Sequence, residues 1–181
     1  MPRKNRDSAA GTFHVFTHCV WAAPRLYRDA TDRIEFLRHL AVVGAKVGWT
    51  CVAYCLMDTH YHLIVDAGDG VLPTAMHGLN LRYARYHNRR YGLRGHAQFE
   101  RYGSRRVADG GDLLTTFAYV ARNPVKAELC ASAHEWRWSS YRATVGLEEL
   151  PSFVDPARVL RCFPWPTVEP AAALRAYVEK R

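Results

Sequence analysis

The spacing of apolar and polar positions divides the chain into short strands and amphipathic helices. Thr12 to Trp21 is β-branched and aromatic and predicts a first strand, with His14 and His18 on one face. Asp29-Ala30-Thr31-Asp32 offers helix caps; Ile34, Leu37, Leu40 and Val43 follow at helical spacing, and Gly44 and Gly48 mark the end. Trp49 to Met57 predicts a second strand, Asp58-Thr59 a tight turn, and His60 to Val65 a third strand. Pro73 opens a second helix striped by Met76, Leu79, Tyr83 and Tyr86. After the glycine-rich stretch 92 to 103, Ser104 to Val107 predicts a short fourth strand. The order βαββαβ is that of an α+β, ferredoxin-like fold with an antiparallel sheet.

Asp112 is placed to cap a further helix running to about Asn123, where Pro124 limits further α geometry. At 100° per residue, Leu113, Leu114, Phe117, Val120 and Ala121 share one arc, and Tyr119 falls almost opposite with Thr115 and Asn123 beside it. Core burial therefore gives no reason for Tyr119, although amphipathic tyrosines on surfaces are common. Residues 1 to 146 read as one domain. The segment 147 to 181 carries Pro151, Pro156, Pro164, Pro166 and Pro170 and reads as a tail of short helices, one near Ala171 to Val178.

Composition narrows the class. A 181-residue chain with 49% hydrophobic and 23% charged residues suits a globular domain. No apolar run approaches the roughly 18 residues of a membrane span, and no apolar signal segment follows the basic N-terminus, so cytoplasmic residence is expected. Cys19, Cys51, Cys55, Cys130 and Cys162 match neither a redox pair nor a zinc knuckle and read as reduced thiols.

Charge changes the picture more. Arg82, Arg85, Arg89, Arg90, Arg94, Arg101, Arg105 and Arg106 face one acid, Glu100, so +7 of the net +8 lies between residues 82 and 106. Tyr83, Tyr86, Tyr91, Phe99 and Tyr102 are interleaved with them. Arginines neutralise phosphates and aromatic faces stack on unpaired bases, which favours a nucleic-acid partner over a solvated, salt-bridged helix.

Candidate chemistry centres on His60-Tyr61-His62. Alternation puts both imidazoles on one strand face, where they can grip one divalent ion if a third ligand arrives from elsewhere. Two solvated strand histidines are the competing reading. Asn123, one helical turn beyond Tyr119, offers an amide oxygen as the third ligand. An ion held there would polarise a phosphodiester beside the Tyr119 hydroxyl. A phenol with a reference pKa near 10 needs such a field, or a base, to become a nucleophile.

Met57-Asp58-Thr59-His60-Tyr61-His62-Leu63-Ile64-Val65 resembles the His-hydrophobic-His strand of the HUH single-strand DNA endonuclease superfamily. Tyr119-Val120-Ala121-Arg122-Asn123-Pro124-Val125-Lys126-Ala127 is similar to the Tyr-x-x-x-Asn-Pro-Val segment of REP-associated tyrosine transposases, members of the single-tyrosine, insertion-sequence transposase-like family. Phe13-His14-Val15, Tyr86-His87-Asn88-Arg89-Arg90 and Trp138-Ser139-Ser140-Tyr141 extend the likeness over residues 12 to 145, in order.

The resemblance implies an RRM-like sheet with a catalytic helix, Tyr119 as nucleophile, and His60, His62 and Asn123 as ligands of Mg²⁺ or Mn²⁺. It also implies a hairpin DNA with a short single-stranded flank as substrate, and a 5′-phosphotyrosine intermediate. It leaves monomer or homodimer open. Two departures stand out. Asp58-Thr59 replaces the usual Pro-Asn turn, and Tyr61 is bulkier than the usual aliphatic residue. Asp58 either adds charge near the metal or caps the turn. His14 and His18, on the neighbouring strand, support the site, contact DNA or serve structure. Two other functions compete: a non-catalytic single-strand-binding module that keeps the fold, and a metal nuclease that activates water.

Overall fold

The computed structural model describes residues 9–18, 25–93, 100–163 and 169–180. Four strands, β1 (Gly11–His18), β2 (Thr50–Leu56), β3 (His60–Ala67) and β4 (Gly103–Arg106), form one antiparallel sheet in the order β2-β3-β1-β4. This is the α+β, ferredoxin-like arrangement expected from the sequence. The first strand ends at His18; the expected extension to Trp21 lies outside the described residues, as do Cys19, Arg94, Phe99, Pro164 and Pro166.

Helices α1 (Ala30–Val47) and α2 (Val71–Tyr91) cover one face of the sheet. Phe13, Val15, Tyr61, Leu63 and Val65 from the strands meet Phe36, Leu40, Met76, Leu79 and Tyr83 there, all buried. The apolar face of α1 differs from the expected stripe. Leu40 and Val43 are buried as expected and Leu37 packs against the core, but Ile34 is 55% exposed, and Arg33 and Phe36 are buried in its place. Positions 33, 36, 40 and 43 follow 3.6-residue geometry around Phe36, and Ile34 falls outside that arc. Asp29 caps the helix, accepting a hydrogen bond from Asp32 N, and Gly48 ends it with φ 71°. Gly44 lies within α1 and does not end it. A Cβ there would lie 2.7 Å from Trp49 Nε1, so the glycine lets the indole lie against the helix.

On the other face α3 (Gly110–Ala121) lays Leu113, Phe117, Val120 and Ala121 over Val52, Ala53, Cys55 and Ile64. Its N-cap is Asp109, which accepts from Asp112 N; Asp112, the expected cap, sits inside the first turn and is free to bind elsewhere. The helix stops at Ala121, two residues short of expectation, because Arg122 leaves helical geometry at φ −88°, ψ 0°. Pro124 then lies in the first turn of a new short helix, α4 (Asn123–Lys126), where its missing N–H costs nothing.

Three more helices, α5 (Tyr141–Thr144), α6 (Ala157–Leu160) and α7 (Pro170–Glu179), complete this layer, and Val159, Leu174 and Val178 are fully buried in it. The outer edge of β2 does not stay open. Leu56 N donates to Trp138 O (2.9 Å), Ser140 N to Tyr54 O (3.0 Å) and Asp155 N to Cys51 O (2.8 Å). Those bonds use up the unpaired groups of an edge strand, which is the structural use of Trp138-Ser139-Ser140-Tyr141. Among the described residues no helix is long and apolar enough to cross a membrane, and the four described cysteines are free.

Candidate active site

The second helical layer covers only part of its sheet face. In the uncovered part lies a cleft of about 440 Å³ lined by His14, Phe16, His18, His60, His62 and Arg105 from the strands, and by Thr115, Thr116 and Tyr119 from α3. Strand register assembles it. β1 and β3 pair with His18 opposite His60 and Phe16 opposite His62, and β1 and β4 pair with His14 opposite Arg105. Alternation therefore sends all six side chains to one face. Gly103 keeps the floor open, because a Cβ there would collide with the Phe16 ring it pairs with.

The histidines are close-packed. The His60 and His62 ring centroids are 5.1 Å apart, His18 stacks on His60 at 4.9 Å, and His14 Nε2 lies 3.0 Å from His62 Nδ1. Burial drives His62 down to about 3, and the neighbouring histidines push the same way. Burial and then the Arg105 guanidinium lower His14 to about 4, and burial lowers His60 too, despite its hydrogen bond to the Asn123 amide oxygen. For His14, His60 and His62 burial thus favours the neutral ring, the state in which an imidazole ligates a metal.

Tyr119 comes from the layer above. Its ring meets those of His62 at 5.5 Å and His14 at 5.7 Å, both edge-on, and it keeps 41% of its surface exposed to the cleft. The break at Arg122 sets Asn123 at the start of α4, with its Oδ1 3.3 Å from His60 Nε2. The structure thus brings His60, His62, Tyr119 and Asn123 to one place.

Two atoms bear on metal binding. His62 Nε2 is buried without a hydrogen-bond partner, and His60 Nε2 faces the Asn123 amide oxygen. Two neutral imidazoles and one amide oxygen form a donor set suited to a divalent ion. Among the described residues no three His, Cys, Asp or Glu side chains are grouped for metal binding.

Both departures from the family pattern have a structural explanation. The Tyr61 side chain points to the opposite face, fully buried under α2, where its hydroxyl donates to Asn80 at 2.6 Å; it leaves the cleft untouched. The Asp58 carboxylate is paired with Arg33, and its carbonyl accepts from Leu26 N at 2.7 Å. Arg33 is itself buried between the Tyr27 and Trp138 rings. Asp58 therefore anchors the turn that sets the start of the His60 strand. Removing it strands a buried guanidinium, so Asp58→Ala should lower unfolding stability by about 2 kcal/mol. Urea denaturation checks this. A change within about 0.5 kcal/mol, usual for surface sites, would show that the turn does not depend on the pair.

The arginines separate into groups. Arg105 lines the cleft and is held by Asp112 at 2.7 Å and by Thr116. Arg106 lies over the Phe13 ring and donates to the carbonyls of Ala9 and Ala10. Arg90 is paired with Asp29 and with the fully buried Asp32, which also accepts from Tyr86, Tyr91 and Arg28 N. Burial opposes ionisation of Asp32, but these hydrogen bonds outweigh it and keep its pKa below the usual value. Arg90 is thus a structural clamp between α1 and α2, a pairing with distant acids that a local charge count does not reveal. Arg82, Arg85 and Arg89 form an exposed stripe on α2 without ion pairs among the described residues, and Arg101 is exposed near β4. The stripe and the cleft lie on opposite faces of the sheet.

Sequence reasoning did not single out Lys126, whose Nζ lies 4.9 Å from the Tyr119 ring centroid, or the placement of Arg105 and Thr116 in the cleft.

No family model matches the chain, and no curated protein matches it. Among solved structures, its fold is similar to that of the REP-associated tyrosine transposase bound to a REP hairpin. The TM-score is 0.67 and the identity 18%, over 86% of this chain and 93% of that one. At that identity the likeness shows a shared fold.

Proposed function

We propose that this chain is a single-strand DNA endonuclease and strand transferase of the REP-associated tyrosine transposase kind, within the HUH superfamily. One observation carries the reading: on a fold similar to that transposase, Tyr119 stands against His62 while Asn123 faces His60.

In this reading Tyr119 is the nucleophile and His60, His62 and Asn123 hold Mg²⁺ or Mn²⁺, which when bound would polarise the phosphodiester. The Tyr119 oxygen bonds to phosphorus as the bond to the 3′-oxygen breaks. The phenol loses its proton to solvent and the departing oxygen gains one, leaving a 5′-phosphotyrosine and a free 3′-hydroxyl. Attack by another 3′-hydroxyl reverses the step and joins strands without ATP. Arg105 supplies positive charge at the cleft wall for the bound phosphate. We read residues 1–146 as the catalytic unit and 147–181 as a segment folded onto it, because Val159, Leu174 and Val178 pack under α3.

The partner in this proposal is hairpin DNA with a single-stranded flank. The flank occupies the cleft while the stem runs over Arg82, Arg85 and Arg89, passing round an edge of the sheet. Replacing those three with alanine should weaken binding and flatten its salt dependence. On the duplex stem the log–log slope should fall by about 0.9 for each phosphate left without its arginine, and by about 2.7 for all three. Titrations at several salt concentrations check this; an unchanged slope would leave the stripe as solvated surface. Arg90→Ala should act through stability instead, since its charge is already paired.

Incubation with labelled hairpin DNA and Mn²⁺ tests the main reading, through an adduct that survives denaturation. DNA taken from repeats flanking the gene is the substrate to use first. A module that only binds single strands would retain the DNA and never nick it. The packing of Tyr119, His60, His62 and Asn123 in one cleft favours the enzyme, because binding alone requires no such set.

A further inference from the structure

The buried 3.0 Å contact between His14 Nε2 and His62 Nδ1 requires one ring nitrogen to donate and the other to accept. Two arrangements are possible. If His14 Nε2 donates, the His62 proton moves to Nε2, a buried atom that makes no hydrogen bond of normal geometry among the described residues, although the Asn123 side chain interacts with the ring. If His62 Nδ1 donates, Nε2 keeps a bare lone pair directed into the site.

We infer that His14 is a positioning residue for His62: its Nε2 accepts the His62 Nδ1 proton and fixes the tautomer whose Nε2 can take a divalent cation. This rests on the proposed reading of His62 as a metal ligand. Ligating histidines generally donate their second N–H to an oxygen acceptor, which orients the ring and raises its basicity. Here the acceptor is another imidazole. His14 is well held for that task. It is 6% exposed, its strand pairs with β3 through eight consecutive residue pairs, and its ring packs against Phe16 and Tyr119. Asp112 does not offer a competing acceptor, because its carboxylate is engaged by Arg105, Ala108 N and Thr116.

Long-range ¹H–¹⁵N spectra of the metal-free full chain read the tautomer directly. The expected result is His62 protonated at Nδ1 with a bare Nε2. His14→Phe keeps an aromatic ring of similar bulk but cannot accept. It should shift His62 away from that tautomer and weaken Mn²⁺ binding by about 10- to 100-fold, the usual cost of losing such a partner. His14→Gln offers a side-chain oxygen and should recover most of both. Dispersed backbone spectra of each variant establish that it is folded. A wild-type His62 protonated at Nε2, or a folded His14→Phe variant with unchanged tautomer and affinity, overturns the proposal. Failure of the wild type to bind Mn²⁺ would instead overturn the metal reading, and the tautomer spectrum would still decide the role of His14.

Discussion

Tyr119→Phe should abolish both cleavage and the covalent protein–DNA adduct while leaving folding and DNA affinity close to those of the parent chain. The substitution removes one hydroxyl that makes no hydrogen bond among the described residues and stands on a ring 41% exposed. Stability should therefore change by no more than about 0.5 kcal/mol. The edge-on contacts with His62 and His14 belong to the ring and survive. Affinity rests on phosphate contacts made elsewhere, so binding at fixed salt should be unchanged. What disappears is the only group in the proposed mechanism able to bond to phosphorus. Nicking assays and denaturing gels on the same samples read both outcomes. Loss of the adduct with cleavage preserved would identify a water-activating metal nuclease. Persistence of the adduct would move the nucleophile to another residue.

Much of the sheet was legible because its residues obey a period of two. His60, His62 and Ile64 alternate with Tyr61, Leu63 and Val65, and the structure sends the two sets to opposite layers. The helix boundaries depended on caps, and a cap is a local competition between similar residues. Asp109 and Asp112 lie three apart in the right position, and only the fold shows that Asp109 caps while Asp112 pairs with Arg105. The misplacement of Ile34 on α1 has a related cause. Ile34 and Phe36 are both apolar, and the preference for Phe36 comes from the Tyr27, Tyr61 and Tyr83 rings it meets, which belong to three other segments.

At the site, His60 and His62 were legible because one strand sets their spacing, whereas Tyr119 and Asn123 lie on either side of the break at Arg122 and were nominated also by the resemblance of the Tyr119 to Ala127 segment. Pairings between elements were not legible in this way. That of His14 with His62 depends on strand register, and that of Asp58 with Arg33 on how α1 packs. The arginine cluster shows the same limit. A count over residues 82 to 106 finds a single acid, yet the partners of Arg90, Asp29 and Asp32, lie more than fifty residues upstream.

His60→Ala and His62→Ala should each reduce cleavage by at least about a thousandfold, about 4 kcal/mol of lost transition-state stabilisation. Each removes one of only three proposed donors, and a water replacing an imidazole binds a divalent ion less tightly. Asn123→Ala should cost less, on the order of 10- to 100-fold, because water can replace a neutral amide oxygen. His60 is the cleaner probe of the pair. Its ring is only partly buried, so alanine leaves a solvated gap, whereas truncating His62 also opens a hole beneath Tyr119 and removes the partner of His14. Stability should accordingly fall more for His62→Ala than for His60→Ala, and thermal melts separate that loss from the loss of chemistry. DNA binding should persist in both. Chelation of the wild type should mimic the His60 variant, and added Mn²⁺ should restore the wild type but not the variant. Full cleavage by either histidine variant in chelator-treated buffer would remove the metal from this cleft.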